Sequence, residues 1–127
     1  MRNVFFFLSS DRACGHALCQ CQSSCTRYKN ILPFDYCRVV LKEVDNSVEG
    51  ADYINASAIT GEIKGPGNNY IACQGCLKAT VAAFWQMVWE QNNRIIVMTT
   101  AVVERGKNKC APYWPVKNRS STYLPFF

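Results

Sequence analysis

Residues 80–100 constrain the fold of this chain more than any other part of the sequence. Apolar side chains recur there at positions i, i+3, i+4, i+7 and i+8, namely Val81, Phe84, Trp85, Val88 and Trp89. This spacing gives an α-helix one broad apolar face, with Thr80 as the N-cap and residues 92–93 at the C-terminal end. The unbroken apolar run at 95–98 follows, and it is typical of a strand buried on both faces.

Three short strands are predicted ahead of this helix. A β-branched run marks the first over residues 38–41, and the second and third cover 53–59 and 70–73. The Gly-Pro-Gly sequence at 65–67 places a surface loop over 61–69. An order of strands, helix and strand indicates an α/β fold, with helices packed on a mixed or parallel sheet.

Composition and charge narrow the class of protein. Of 127 residues, 49% are apolar and 18% are charged, which is the balance of a globular chain. The formal net charge of +5 is scattered, with no dense basic run among aromatics, so a nucleic-acid partner is not predicted. A mild basic bias suits a protein that handles phosphorylated ligands, and a merely solvated surface explains it equally well.

Eight cysteines are present, five of them within the first 37 residues. The apolar run at 4–8 is short for a signal peptide, so free thiols and a cytoplasmic location are expected. No segment approaches the roughly 18 apolar residues of a membrane span. The series Cys14, His16, Cys19, Cys21, Cys25 has the residue types of a zinc site without its paired spacing, so no metal or other cofactor is predicted. A cysteine-rich metal or redox module is kept as an alternative.

Five consecutive segments resemble the motifs of protein tyrosine phosphatase catalytic domains. They are R-Y-K-N-I-L-P-F-D at 27–35, D-Y-I-N-A at 52–56, Y-I-A-C-Q-G at 70–75, F-W-Q-M-V-W at 84–89 and E-R-G-K-N-K-C-A-P-Y-W-P at 104–115. Their order is a more specific signal than any single motif. The resemblance implies that residues 25–115 are the N-terminal portion of such a domain, with an incomplete, twisted mixed sheet and packed helices.

The two ends of the chain lack this family pattern. Residues 1–24 form a leader rich in Cys, Ser and Gln that is expected to be disordered, and residues 116–127 form a tail without helix or strand pattern. Within the block, G-C-L at 75–77 and V-M-T-T at 97–100 look most like the cytoplasmic non-receptor subgroup that carries two SH2 domains. SH2 domains upstream in the parent protein are therefore a further expectation.

The resemblance assigns roles to residues of the first motif. Tyr28 corresponds to the tyrosine that stacks on the phenyl ring of phosphotyrosine and sets a pocket depth that rejects phosphoserine. Asn30 stands where many relatives carry an aspartate that binds the substrate backbone, and its amide can keep a weaker contact. Lys29 is a candidate for selectivity toward acidic peptides, or simply a solvated lysine. Arg27 is a supporting residue of the same loop.

Two supporting residues lie in the last motif. Glu104 matches the glutamate that orients the phosphate-binding arginine of the family, and Lys109 matches the lysine that approaches its mobile acid loop. Both of those partners belong to parts of the domain that these five motifs do not include. Cys73 and Cys110 are predicted to be buried as small hydrophobic residues.

The family reaction also requires a cysteine thiolate, an arginine six residues later and a general-acid aspartate. Its H-C-x5-R signature does not occur in these 127 residues. Cys21 and Arg27 match C-x5-R by coincidence, because no glycine lies between them and Gln20 precedes the cysteine. No catalytic residue is predicted, and the chain is expected to be a fragment of a phosphatase of phosphotyrosine proteins that is inactive alone. The alternative is a non-catalytic fragment that binds phosphotyrosine peptides.

Overall fold

The computed structural model describes residues 24–59 and 70–115. Its larger sheet contains the strands β1 (Arg38–Val40), β2 (Tyr53–Ile59) and β3 (Tyr70–Cys73), which are antiparallel and lie in the order β1-β2-β3. One turn of 3-10 helix (Lys78–Thr80) leads into α1 (Val81–Glu90), and β4 (Val103–Glu104) pairs with β5 (Lys107–Asn108) in a separate hairpin. The described residues thus form an incomplete α/β fold.

The predictions of the first three strands agree closely with this architecture, whereas the β4–β5 hairpin was not predicted. β2 and β3 have the predicted limits, and β1 ends one residue earlier than expected. β2 is the central strand: it pairs with β3 from Ala56–Cys73 to Ile59–Tyr70, and its first five residues are buried. The loop predicted at 61–69 lies outside the described residues.

The main core forms where α1 packs against the sheet. Its buried residues are Val39, Leu41, Ile54, Ala56, Ile71, Cys73, Cys76, Val81, Phe84, Met87 and Cys110. The apolar face of α1 is rotated from the predicted one, because Met87 is 2% exposed whereas Trp89 is 51% exposed. Trp85 is half-buried at the edge of this face, where its indole N–H donates to the carbonyl oxygen of Tyr113 at 2.9 Å.

Both ends of α1 lie where the sequence predicts them. Thr80 occupies the N-cap position, but its hydroxyl accepts the N–H of Leu77 instead of capping the helix. At the other end, the N–H groups of Asn92 and Asn93 donate to the carbonyls of Trp89 and Val88, each at 2.9 Å. Asn92 has a φ of 50°, so this end is a Schellman motif with asparagine in the left-handed position.

Glu90 joins the last turn of α1 to the segment that follows β1. Its carboxylate accepts the backbone N–H of Lys42 at 2.9 Å, that of Glu43 at 3.0 Å and the side-chain amide of Gln86 at 2.8 Å. Partial burial opposes ionisation, but the donors at Glu43, Gln86 and Lys42 hold the pKa of Glu90 below its ordinary value. The helix is therefore tied to the sheet by polar contacts as well as by its core face.

The prediction of a doubly buried strand at 95–98 is wrong. These residues are not paired with any strand of the described chain, and their side chains alternate between core and solvent. Ile96 and Met98 pack against the main core, whereas Ile95 is 46% exposed and Val97 is 39% exposed. Only one face of this run is covered by the described residues.

No helix within residues 24–59 and 70–115 has the length and apolar character needed to cross a membrane.

Two adjacent valines of β1 provide a matched test of the core. Val39 is 5% exposed and Val40 is 42% exposed, so the same substitution probes opposite faces of one strand. We expect Val39→Ala to lower the free energy of unfolding by about 2 kcal/mol through lost burial and a residual cavity. Val40→Ala should lower it by less than about 1 kcal/mol. Urea unfolding followed by tryptophan fluorescence measures both, and equal losses would contradict the position of β1 against α1.

Candidate functional site

The Arg27 guanidinium holds together three segments that are distant in the sequence. Its Nε and Nη2 donate to the carbonyl oxygen of Gly75 at 3.2 and 3.1 Å, and Nη2 also donates to that of Cys76 at 2.7 Å. Nη1 donates to the carbonyl oxygen of Asn108 at 2.9 Å. The planar, forked guanidinium suits this arrangement, since a lysine ammonium cannot satisfy several carbonyls in one plane. The residue therefore links residues 24–31, the β3–α1 connection and the β4–β5 hairpin.

Two buried amide side chains hold the backbone on either side of Tyr28. The Gln74 side chain accepts the N–H of Arg27 at 2.9 Å and donates to the carbonyl oxygen of Cys25 at 2.7 Å. The Asn55 side chain donates to the carbonyl oxygen of Ile31 at 2.9 Å, while its backbone carbonyl accepts the N–H of Gln74. Sequence reasoning gave neither residue a role. The available signal was a polar amide within β2 and another directly after β3, both beside apolar residues, since a buried amide needs partners.

The shape of the site also depends on the lack of a side chain at Gly75. A Cβ atom at this position would lie 2.3 Å from the carbonyl oxygen of Lys109, which is a backbone atom. The N–H of Ala111 donates to the carbonyl oxygen of Cys76 at 2.7 Å in the same region. Close approach of two backbone segments thus explains the glycine.

Tyr28 lies at the centre of the site and is half-buried. The Lys109 ammonium donates to its phenol oxygen at 2.8 Å and lies 5.5 Å from the centre of its ring. The hydrogen bond from Lys109 outweighs desolvation and lowers the pKa of the Tyr28 phenol below its ordinary value. The N–H of Ile31 donates to the carbonyl oxygen of Tyr28 at 3.0 Å, and this turn leaves the intervening Lys29 and Asn30 exposed.

Glu104 lies on the β4–β5 hairpin and is half-buried. Its carboxylate accepts the N–H of Ala101 at 3.0 Å, and this contact fixes the base of the hairpin. Together with Arg105, Lys107 and Lys109 it lines a shallow, mainly basic depression. The structure thus brings Lys109 into direct contact with Tyr28, while the neighbouring Arg27 bonds the residue that precedes Lys109. Lys29 and Asn30 lie on the adjoining turn, and Glu104 lies on the neighbouring hairpin.

Three cysteines lie beside the site but are poorly suited to nucleophilic chemistry. Cys73 and Cys110 are buried as predicted, and Cys76 is buried with them. Burial raises the pKa of the Cys76 thiol to about 12 and that of Cys73 well above its ordinary value, so both remain protonated at neutral pH. Within residues 24–59 and 70–115, no three His, Cys, Asp or Glu side chains are grouped so as to hold a metal ion. Cys14, His16, Cys19 and Cys21 lie outside the described residues.

Comparison with known proteins agrees with the motif order. Residues 22–127 match the protein-tyrosine phosphatase family, and the match includes both the 25–115 block and the 116–127 segment. Over 99 residues the chain is 48% identical to tyrosine-protein phosphatase non-receptor type ptp-2 of Caenorhabditis elegans, covering 72% of this chain and 14% of that protein. Over 99 residues it is also 48% identical to human tyrosine-protein phosphatase non-receptor type 4, covering 76% and 10%. Over 89 residues it is 53% identical to human receptor-type tyrosine-protein phosphatase C, covering 70% and 7%.

The chain therefore belongs to the protein-tyrosine phosphatase family, as its five motifs predict. It spans 14% or less of the length of these three relatives, which include both non-receptor and receptor-type proteins.

The role of Arg27 can be tested by a conservative substitution with a matched control. Arg27→Lys keeps the charge but leaves carbonyls of Gly75, Cys76 or Asn108 without donors, and we expect a loss of about 1–3 kcal/mol in the free energy of unfolding. Amide hydrogen exchange over residues 25–31 should quicken as well. The control Arg105→Lys changes an exposed side chain of the hairpin and should stay within about 0.5 kcal/mol. Equal effects from the two variants would show that the guanidinium contacts do not hold this loop.

A pair of glycine substitutions separates lack of space from backbone strain. Gly106 has a φ of 71° and no atom within 4 Å of an added Cβ, so Gly106→Ala should cost about 1 kcal/mol through conformation alone. Gly75→Ala drives a methyl group into the carbonyl of Lys109 and should cost clearly more, on the order of 3 kcal/mol. Thermal unfolding of both variants ranks them. A milder effect at position 75 would be inconsistent with the close approach of the two backbone segments.

Proposed function

We propose that this chain supplies the phosphotyrosine-recognition part of a protein tyrosine phosphatase, which hydrolyses phosphotyrosine in signalling proteins. One observation carries the proposal: Tyr28 is anchored on its backbone side and at its phenol oxygen, and the residue is only half-buried. The Arg27 and Gln74 contacts fix the backbone on one side, and Lys109 holds the phenol oxygen on the other. A ring held in this way offers a rigid apolar face to an aromatic ligand at a small entropic cost.

The neighbouring side chains suit the peptide that would carry such a ligand. Lys29 and Asn30 are exposed on the turn that follows Tyr28. The amide of Asn30 can donate to and accept from a peptide backbone, and the ammonium of Lys29 can attract acidic side chains. The depth set by Tyr28 would admit phosphotyrosine and leave the shorter phosphoserine out of reach of the phosphate-binding residues.

The proposed hydrolysis needs groups beyond the recognition site. The H-C-x5-R signature and its thiolate nucleophile are absent from the 127 residues, and the described Cys73 and Cys76 are protonated. We therefore propose that these 127 residues alone do not hydrolyse phosphotyrosine. In the complete catalytic domain, Glu104 would orient the phosphate-binding arginine and Lys109 would approach the loop that carries the general acid.

A narrower family assignment is also proposed. The G-C-L sequence at 75–77 and V-M-T-T at 97–100 favour the cytoplasmic subgroup that carries two SH2 domains upstream. The half-buried Tyr28 and the basic residues of the depression beside the hairpin suit phosphotyrosine proteins as partners, and the proposed reaction requires no cofactor. Sequencing the transcript across both ends of residues 25–115 would test the subgroup, since it predicts SH2 domains on one side and H-C-x5-R on the other.

A second candidate function is the binding of phosphotyrosine peptides without turnover. It is favoured by the hydrogen bonds that hold the loop around Tyr28, whose partners are Asn55, Gln74, Gly75, Cys76, Asn108 and Lys109. The recognition loop therefore has a defined shape within this chain. Without a phosphate-binding loop, the affinity should be weak.

Peptide binding provides the test of both functions. A phosphotyrosine peptide and its unphosphorylated twin are titrated into the chain, and we expect weak binding of the phosphorylated peptide only. Tyr28→Ala should reduce that binding about fivefold or more, in keeping with the roughly 1 kcal/mol of an aromatic stacking contact. The control Tyr36→Ala removes a ring that is 84% exposed and should change it little. Equal binding of the two peptides would refute recognition by this site.

Turnover is measured on the same samples. The 127-residue chain should release no inorganic phosphate from the phosphopeptide. Release that disappears on Cys21→Ser would overturn the proposal of inactivity, because it would identify Cys21 as a nucleophile.

A further inference from the structure

We propose that Lys109 is a positioning residue for Tyr28, through which the β4–β5 hairpin fixes the orientation of the recognition ring. The inference rests on the proposed function, in which Tyr28 stacks on the phenyl ring of phosphotyrosine. It gives Lys109 a role within the described residues, separate from any contact with an acid loop. The class of ligand is the same as in the proposed function. What is new is that Lys109 influences the affinity of the site for that ligand.

The first support is that the backbone of Lys109 is fixed. Its N–H donates to the carbonyl oxygen of Val102 at 2.8 Å, and its own carbonyl lies so close to Gly75 that no side chain fits between them. Lys109 is half-buried, whereas the preceding hairpin residues Lys107 and Asn108 are exposed. Its ammonium therefore starts from a defined position, which lowers the entropic cost of holding the side chain in one geometry.

The second support is that the two segments are linked twice. Arg27 Nη1 donates to the carbonyl oxygen of Asn108 at 2.9 Å, and Lys109 Nζ donates to the phenol oxygen of Tyr28 at 2.8 Å. Consecutive residues of the recognition loop thus contact consecutive residues of the hairpin, each pair being 81 residues apart in the sequence. A lysine that is merely solvated would not be expected to form a hydrogen bond directly beside the one between Arg27 and Asn108.

The third support is electrostatic. The charged groups that face the Tyr28 phenol are Lys109, Arg27 and Glu104, and the two cations favour the ionised form while Glu104 opposes it. The largest influence is the hydrogen bond from Lys109, and the net result is a lowered pKa of Tyr28. If Lys109 holds the phenol oxygen, removal of its ammonium must raise that pKa.

The titration of Tyr28 is the direct test, and it needs no substrate. The 127-residue chain is labelled with 13Cζ-tyrosine, and Tyr28 is assigned from the resonance that is lost in Tyr28→Phe. We expect Lys109→Met to raise the pKa of Tyr28. Lys109→Arg keeps a cationic donor, so it should raise this pKa less than Lys109→Met does. Lys107→Met is the matched control on the same hairpin and should leave it unchanged. An unchanged value in Lys109→Met, or an equal rise in Lys107→Met, would overturn the proposal.

Unchanged amide resonances of β2 and β3 establish that the variants are folded. If Lys109→Met does not fold, the wild-type chain decides the question through the Lys109 ammonium. Its 15Nζ resonance should shift at the pH at which Tyr28 ionises. A resonance that does not shift at that pH would overturn the proposal.

A double-mutant cycle then connects this contact to ligand recognition. Binding of the phosphotyrosine peptide is measured for Lys109→Met, Tyr28→Phe and the double variant. Tyr28→Phe keeps the ring but removes the oxygen that Lys109 holds, so we expect each single variant to weaken binding about threefold and the double variant to be no weaker. Fully additive losses would overturn positioning through Tyr28. If neither the wild-type chain nor any variant binds the peptide, the proposed function is wrong. The titration of Tyr28 would still decide whether Lys109 holds its phenol oxygen.

Discussion

The described structure depends above all on the hydrogen bonds of the Arg27 guanidinium. The loop that carries Arg27, the β3–α1 connection and the β4–β5 hairpin meet at this group, and no apolar side chain could bond the backbone carbonyls of the last two. Charge-assisted hydrogen bonds contribute about 1.5–3 kcal/mol each, and a carbonyl left without its donor costs a similar amount. Since Gly75 and Cys76 precede α1 and Asn108 ends β5, the group sets the relative positions of these elements, and the Ala111–Cys76 and Lys109–Tyr28 hydrogen bonds reinforce it.

In this chain, apolar packing holds the helix on the sheet, whereas polar contacts hold the loop around Tyr28. The main core holds α1 on the sheet, and a smaller cluster of Cys25, Leu32 and Phe34 surrounds Tyr53 beneath the recognition loop. The amides of Asn55 and Gln74 extend from the buried strands and hold the loop above that cluster. A buried amide is stable only when its donors and acceptors are satisfied, so these two side chains favour one loop conformation over others. The loop around Tyr28 is therefore held from β2 through Asn55 and from the end of β3 through Gln74.

The sequence predicts what depends on local pattern and misses what depends on distant partners. The limits of β1, β2 and β3 and the ends of α1 follow from runs and caps of neighbouring residues, and they agree with the structure to within a residue or two. The face of α1 that is buried depends on the surface opposite, so Met87 and Trp89 could not be ranked by spacing alone. The apolar run at 95–98 likewise indicates an extended segment without telling whether another strand pairs with it. Motif order located the candidate site, but the bonds from Arg27 and Lys109 span up to 81 residues and leave no local pattern.

If the proposed function is correct, the arrangement around Tyr28 explains how this loop could serve as a rigid binding surface. A free tyrosine side chain samples several rotamers, and each must be given up when a ligand stacks on the ring. Here the backbone is held by Gln74 and Arg27, and the far end of the ring is held by Lys109, so much of that ordering precedes ligand binding. The same contacts leave Lys29 and Asn30 exposed, so adaptability is confined to the residues that would meet the variable peptide. A fixed ring beside an adaptable rim is the combination that a site needs to recognise one modified side chain in many sequence contexts.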